Sequence, residues 1–194
     1  MTTAEVLSCL SGTTLDLSGT NCNDADLRHA QTSFSDVTSL SISAYISITG
    51  LNAVAPSLPK ITSLDLDMCC GVTDALLDEL VKAFPKLTSL SILGSKVTDV
   101  GVAHLARLSG LTELHLDWVE ITDEGLKLLA VFSELTSLSL ECNKITDAGL
   151  RELLALPKLA ELFLTDNEVT KDGVAQFRAS RPNCKVECDN YRIP

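Results

Sequence analysis

A chain of 194 residues is long enough to bury a continuous core without disulfide staples, and at 45% apolar but only 4% aromatic that core is built from aliphatic side chains, leucine above all. A formal net charge of −11 argues against nucleic-acid partners, whose binders carry clustered basic surface, and against anionic membranes, while no apolar run approaches the ~20 residues of a spanning helix. Seven cysteines, an odd number without a CxxC pair, the lack of any Asn-x-Ser/Thr acceptor and a first segment without a basic leader lead us to expect a cytoplasmic protein that uses no zinc or other cofactor.

In chain order, the stretch Thr3 to Leu10 comes first, with Ala4, Val6, Leu7 and Leu10 apolar, and residues 1–11 are expected to form a half-repeat helix that either caps the first strand or is left over from a longer chain. From residue 12 the sequence repeats itself. Gly12-Thr-Thr-Leu15-Asp-Leu17, Val37-Thr-Ser-Leu40-Ser-Ile42, Ile61-Thr-Ser-Leu64-Asp-Leu66, Leu87-Thr-Ser-Leu90-Ser-Ile92, Leu111-Thr-Glu-Leu114-His-Leu116, Leu135-Thr-Ser-Leu138-Ser-Leu140 and Leu159-Ala-Glu-Leu162-Phe-Leu164 open seven copies over residues 12–182, the last four spaced by 24 residues. Their alternation predicts a strand in each copy, at Leu15–Leu17 and its equivalents, with Ser139 and its like exposed.

A second block follows in each copy, as in Val97-Thr-Asp-Val-Gly-Val102, Ile121-Thr-Asp-Glu-Gly-Leu126, Ile145-Thr-Asp-Ala-Gly-Leu150 and Val169-Thr-Lys-Asp-Gly-Val174. Thr and Asp side-chain oxygens can accept the free N–H groups of a helix's first turn, so a helix is expected to start there. Leu150, Leu153, Leu154 and Leu156 make one apolar stripe before Pro157, and Ala103 to Leu108 and Leu126 to Phe132 repeat it. In the second copy, Ile46-Ser-Ile48-Thr-Gly50-Leu51 lacks the Asp and Pro56 interrupts, which predicts a looser or shorter helix. Residues 183–194 are expected to supply a capping strand near Val186.

The pattern LxxLxLxx(C/N)xx(I/V)TDxGLxxLxxL resembles the leucine-rich-repeat family, in particular its cysteine-containing and ribonuclease-inhibitor-like classes, over essentially the whole chain. Cys69, Asn143 and Asn167 stand at the family's Cys/Asn position, whereas Thr20, Tyr45, Ser95 and Val119 depart from it. The resemblance implies an α/β solenoid, an open right-handed arc with a parallel sheet on the concave face and helices on the convex face. One strand–helix unit cannot bury its own apolar side, but stacked units can. The resemblance also implies a protein-protein interaction module, monomeric or a subunit of a larger complex. Substrate recognition in a ubiquitin ligase and a structural place in a cytoskeletal assembly are the alternatives. The first of these expects an F-box ahead of the repeats, for which Met1 to Ser11 is too short. An extracellular recognition receptor, expected to carry a leader and cysteine-rich caps, is the least favoured reading.

The third, fifth, seventh and eighth residues of each copy are expected on the concave face, and ten of these 32 positions are acidic against one basic. The acids are Asp16, Asp65, Asp67, Glu113, Asp117, Glu141, Glu161, Asp166, Glu187 and Asp189, with Ser43 and Asn190 also falling in these columns. Such segregation serves either electrostatic docking of a basic protein or solubility and edge protection. Trp118, the only tryptophan, falls among them beside His115, with Phe163 two copies on; it is either a contact anchor or packed back over its loop. Asp65, Asp67, Glu113, His115, Asp117, Trp118, Glu141, Glu161, Phe163 and Asp166 are therefore the candidate partner-binding residues, and the first two copies, rich in Ser, Thr, Gly and Ala, read as an inert flank. His115 and Asp117 suggest a general-base pair, but no nucleophile with an oxyanion-type turn accompanies them and a flat face excludes no water, so catalysis is not expected. Calcium is not expected either, since the chain has no EF-hand loop.

Overall fold

The computed structural model describes residues 1–42, 44–69 and 71–189; Ser43, Cys70 and residues 190–194, which include the expected concave positions Ser43 and Asn190 and the end of the expected cap, lie outside the described residues. The elements run α1 (Thr3–Ser8), β1 (Leu10–Ser11), β2 (Thr14–Asp16), α2 (Asp24–Ala30), β3 (Ser39–Ser41), α3 (Ile48–Val54), β4 (Ser63–Asp65), α4 (Asp74–Ala83), β5 (Ser89–Ser91) and α5 (Asp99–Leu105). They continue with β6 (Glu113–His115), α6 (Asp123–Leu128), β7 (Ser137–Ser139), α7 (Asp147–Glu152), β8 (Glu161–Phe163), α8 (Lys171–Ser180) and β9 (Lys185–Glu187). One sheet holds the strands in chain order, and β2 to β9 are all parallel. This is the α/β leucine-rich solenoid that the repeats predict, with each strand set one residue earlier than Leu15–Leu17 and its equivalents.

Register follows from burial. Leu15, Leu40, Leu64, Leu90, Leu114, Leu138, Leu162 and Val186 pair in one row across the sheet, every one of them buried, so slipping any strand by one residue would turn its central apolar side chain to water. Behind this row the apolar residue that follows each strand, Leu17 to Leu164, joins the helix stripes in a single core cluster. Where the chain enters each strand, the Thr residues stack as a ladder. Thr38, Thr62, Thr88, Thr112 and Thr136 each donate their N–H to the preceding copy's Thr carbonyl at 2.8–2.9 Å.

A two-residue strand absent from the sequence reading begins the sheet. β1 pairs antiparallel with β2, Leu10 opposite Leu15 and Ser11 opposite Thr14, through a turn in which Gly12 has φ +62°. Gly12 occupies the place where later copies carry Val37 or Ile61. A glycine there supplies the left-handed conformation of a tight hairpin, and the hairpin with α1 covers an edge that parallel stacking leaves open.

The helix side is tied together by the second block of the repeat. The Thr caps its own helix, while the Asp, first residue of that helix, reaches forward to the next copy. Asp74 accepts the Thr98 N–H at 2.8 Å and the Thr98 hydroxyl at 2.7 Å, and that hydroxyl in turn accepts the Val100 N–H. Asp99 holds Thr122, Asp123 holds Thr146 and Asp147 holds Thr170 in the same two-pronged way, and Asp24 does so with Ser47. The glycine two residues beyond each Asp position is required by this tie: a Cβ on Gly50, Gly101, Gly125, Gly149 or Gly173 would collide with the carboxylate of Asp24, Asp74, Asp99, Asp123 or Asp147 respectively.

The helix of the second copy equals that of the first in length and is shorter than that of the third, which has ten residues. α3 has seven residues, as α2 and α5 do, because Ser47 caps it through the Gly50 N–H, and Pro56 lies in the short 3-10 turn Ala55–Ser57 that follows rather than within the helix. What the missing Asp changes is the next junction. Buried Ile48 stands in its place, Thr73 makes no side-chain cap bond, and the glycine position of the third copy is occupied by Leu76, packed against the core. Among the described residues no helix is long and apolar enough to cross a membrane.

Gly149→Ala is expected to destabilise the fold by about 1 to 3 kcal/mol through overpacking against Asp123. Combined with Asp123→Ala, its cost should fall well below additivity, because the clashing oxygen is gone. Strict additivity in the denaturant midpoints of the double-mutant cycle would show that the two side chains do not meet.

Candidate functional site

The open face of the sheet displays the residues that flank the buried leucines. Its floor is shallow and hydroxyl-lined: Ser39, Ser41, Ser63, Ser89, Ser91 and Ser137 are half-buried. Glu113, Glu161, Asp166, Glu187, Asp16 and Asp189 are exposed acids on this side, and Asp65, Asp67, Glu141, His115 and Phe163 are half-buried.

Two of the expected docking acids are turned to internal use. Asp117 is only 6% exposed; it accepts the Ser139 hydroxyl and the Glu141 N–H, both at 2.6 Å, and so clamps its strand to the next. Asp67, at the same repeat position, accepts the Ser91 hydroxyl and the Leu93 N–H. Ser139, expected to be exposed, is buried for the same reason, at 5%. The serine pairs in register with His115 but donates its hydroxyl hydrogen bond to Asp117, so imidazole and hydroxyl do not form a base–nucleophile couple. Among the described residues, no group of three or more His, Cys, Asp or Glu side chains could hold a metal ion.

Asp65 carries a burden of a different kind. Burial pushes its carboxyl above the ordinary 3.8, opposed by the Asp67 N–H that it accepts at 2.9 Å and reinforced by the Asp67 charge. The opposite holds at the exposed edge, where the Ser18 hydroxyl and N–H lower the Asp16 carboxyl.

At the eighth position the chain leaves the strand. Met68, Gly94, Trp118, Cys142 and Asp166 all have φ between +54° and +71° there. This left-handed turn points their N–H groups at the next copy: Met68 donates to the Leu93 carbonyl at 2.8 Å, Gly94 to Asp117 at 3.0 Å, Trp118 to Glu141 at 3.0 Å and Cys142 to Thr165 at 2.9 Å. For a residue with a Cβ the conformation costs roughly 1–2 kcal/mol, which the glycine at 94 avoids. Trp118 is 66% exposed, Met68 63% and neighbouring Tyr45 64%, so the tryptophan projects to solvent instead of folding back over its loop. Tyr45 and Met68 frame a cleft of about 240 Å³ lined also by Ala44, Ile46, Ile48, Cys69 and Gly71, at the junction that lacks the Asp tie. The second copy is therefore not an inert flank in shape, a feature that its Ser- and Ala-rich composition concealed.

The Cys/Asn position is filled unevenly. The Asn143 amide donates to the Leu116 and Leu140 carbonyls at 2.7 and 3.0 Å, and Asn167 to Leu140 and Leu164 at 2.7 and 3.1 Å, whereas Thr20 bonds only within its own loop. Val119 and Ser95 are buried there, the Ser95 hydroxyl without a partner. The asparagine ladder thus ties the fifth copy to the sixth and the sixth to the seventh.

A stack of strand–helix units with one continuous core and one open sheet face is a solenoid, built from repeats that each contact only their neighbours. The family model for the leucine-rich repeat matches residues 110–130 and 134–154. Among solved structures, internalin C2 from Listeria monocytogenes is similar with a TM-score of 0.63 at 24% identity, covering 97% of this chain and 84% of that one. An internalin of the same organism, inlF, follows with a TM-score of 0.58 at 21% identity, covering 92% of this chain and 54% of that one. No curated protein matches the sequence. Repeat pattern, fold and likenesses agree: the chain is built of leucine-rich repeats, two of which the family model matches, stacked as an α/β solenoid.

Two measurements follow from this geometry. Trp118→Gly should be more stable than Trp118→Ala by roughly 1 kcal/mol, since the two differ in left-handed backbone strain; equal denaturant midpoints would place residue 118 in an ordinary conformation. For Asp65 the raised carboxyl means that the folded chain holds the proton more tightly than the unfolded one. Stability is then lost as pH rises from 3.8 through the raised folded value, and stays lower above it. Asp65→Asn should therefore stabilise the protein at neutral pH, with the gain vanishing below the ordinary carboxylate value. A stabilisation independent of pH would dissociate it from the titration of Asp65.

Proposed function

We propose that this protein binds a protein with a basic surface on its acidic sheet face, and that it is not an enzyme. One observation carries the reading. The sheet-face columns hold ten acids and one base, while the remaining positions carry 16 acids and 14 bases, so the charge imbalance lies on one face. Asp67 and Asp117 are occupied by neighbouring strands and Glu187 pairs with Lys185, which leaves Glu113, Glu161 and Asp166, with Asp16 and Asp189 toward the two ends, as the exposed charges that a partner would meet. Exposed carboxylates steer encounter over roughly 8 Å at physiological ionic strength, and an exposed tryptophan among them supplies contact area after encounter.

The test uses a partner recovered by cross-linking in cells and then purified. Its association rate should fall as salt rises, and Glu113→Gln with Glu161→Gln and Asp166→Asn should slow association and flatten that salt dependence. Trp118→Ala should instead speed dissociation. A partner seated only on the helix side, or one indifferent to both variants, would overturn the assignment.

A further inference from the structure

We propose that the loop-side rim of the sheet, formed by Tyr45, Met68 and Trp118, receives one extended protein segment at two points: an aliphatic side chain enters the cleft between Tyr45 and Met68, and an arginine guanidinium stacks on the Trp118 indole beside Glu141. This deepens the acidic-face reading and rests on it.

The three side chains are among the most exposed large apolar groups of the molecule, and all of them stand where strand gives way to loop, in the second, third and fifth copies. Parallel strands lie about 4.8 Å apart, so three spacings separate Tyr45 from Trp118 by ~14 Å. An extended segment crossing the strands covers that in about four residues at ~3.3 Å each. In the fourth copy the rim carries Gly94, over which the Met68 sulfur leans, 3.1 Å from where a Cβ would stand, so the crossing segment would pass over the Met68 side chain there.

Charge complementarity fixes the chemistry of the occupant. On its sheet side the rim is bordered by Asp65, Asp67 and Glu141, and no Lys or Arg occupies a sheet-face column before Lys185. On its loop side Lys96, Glu120, Lys144 and Glu168 alternate in sign and largely cancel. The rim therefore combines apolar surface with a net negative field from one side. A guanidinium satisfies both at once, because its plane stacks on indole while its edge pairs with a carboxylate; an ammonium offers a point charge without the plane. Met68 and Trp118 also occupy left-handed positions in which the chain itself uses glycine once, so large side chains stand there against the local backbone preference.

The probe is a labelled ten-residue peptide on a Ser/Gly background, with Leu and Arg four residues apart, compared with its Lys-for-Arg and Leu-free counterparts at low salt by anisotropy. Quenching of Trp118, the only tryptophan, reports contact directly. The Arg peptide should bind about two- to fivefold more tightly than the Lys peptide and should alone perturb Trp118 fluorescence. Trp118→Gly should erase the Arg preference, and Met68→Gly should weaken the Leu-bearing peptide but not the Leu-free one; both substitutions suit a positive φ, and thermal melts verify folding. Equal binding of Arg and Lys peptides with unchanged Trp118 fluorescence overturns the rim subsite and leaves the acidic face standing. If no cationic peptide binds at low salt, the acidic-face reading falls with it.

Discussion

The rest of the structure depends on one contact, the carboxylate that the first copy and the third to sixth extend to the helix cap of the next. Strand pairing alone would let helices splay, since backbone ladders fix only the sheet side of a repeat. The Asp–Thr tie fixes the other side at the same interval. Each prong is a charge-assisted hydrogen bond, of the kind worth about 1.5–3 kcal/mol, in a partly buried place where water competes poorly. The tie also dictates sequence at a distance. Glycine is present where an Asp of the preceding copy needs the space, and is replaced where none does: by Asp26 in the first copy, which has no earlier tie, and by Leu76 after Ile48. Asp and Gly thus vary together along one chain, each explained by the other.

That division of labour changes how the net charge of −11 is to be understood. Asp24, Asp74, Asp99, Asp123 and Asp147 are structural on the helix side, and Asp67 and Asp117 are structural on the sheet side. Charges satisfied in this way contribute to the field around the molecule but are not free to form contacts with a partner. Removing Asp117 would strip Ser139 and the Glu141 N–H of their acceptor, so a loss of binding in such a variant would confound fold with function. Glu113, Glu161 and Asp166 are the cleaner positions for testing electrostatics.

Periodicity carries most of the fold because a repeat states the same burial instruction several times: one apolar row every 24 residues determines strand, register and the side that faces the helices. The motif Thr-Asp-x-Gly marked helix starts correctly, yet the forward reach of the Asp could not be read from a single copy. Its signal was the joint absence of Asp at 48 and Gly at 76. Gly12 opens the first copy in the repeat pattern, and that pattern does not tell of the hairpin it also turns, because the two overlap there. On the sheet face, column counting placed Trp118 and the exposed glutamates, but it could not separate Asp117 from Glu113, since alternation tells which face a side chain leaves from and not what it then meets. Nor could it see Tyr45 and Met68 as neighbours, because Tyr45 stands at the ninth position of its copy, one residue beyond the columns counted.

A rigid array has a consequence for recognition. Partner contacts placed on a sheet whose repeats are tied at both the strand and the helix are already ordered before binding, so little conformational entropy is lost in the complex. The left-handed positions extend that argument to the rim. Their N–H groups are bonded to the next copy, which holds the Trp118 backbone in place even though its side chain is exposed. At the third copy the helix-side tie is missing and the cleft beside Tyr45 opens. Stability and display therefore meet at one junction: where Ile48 stands in the place of the Asp, the helix-side tie is lost and the loop side carries the cleft framed by Tyr45 and Met68.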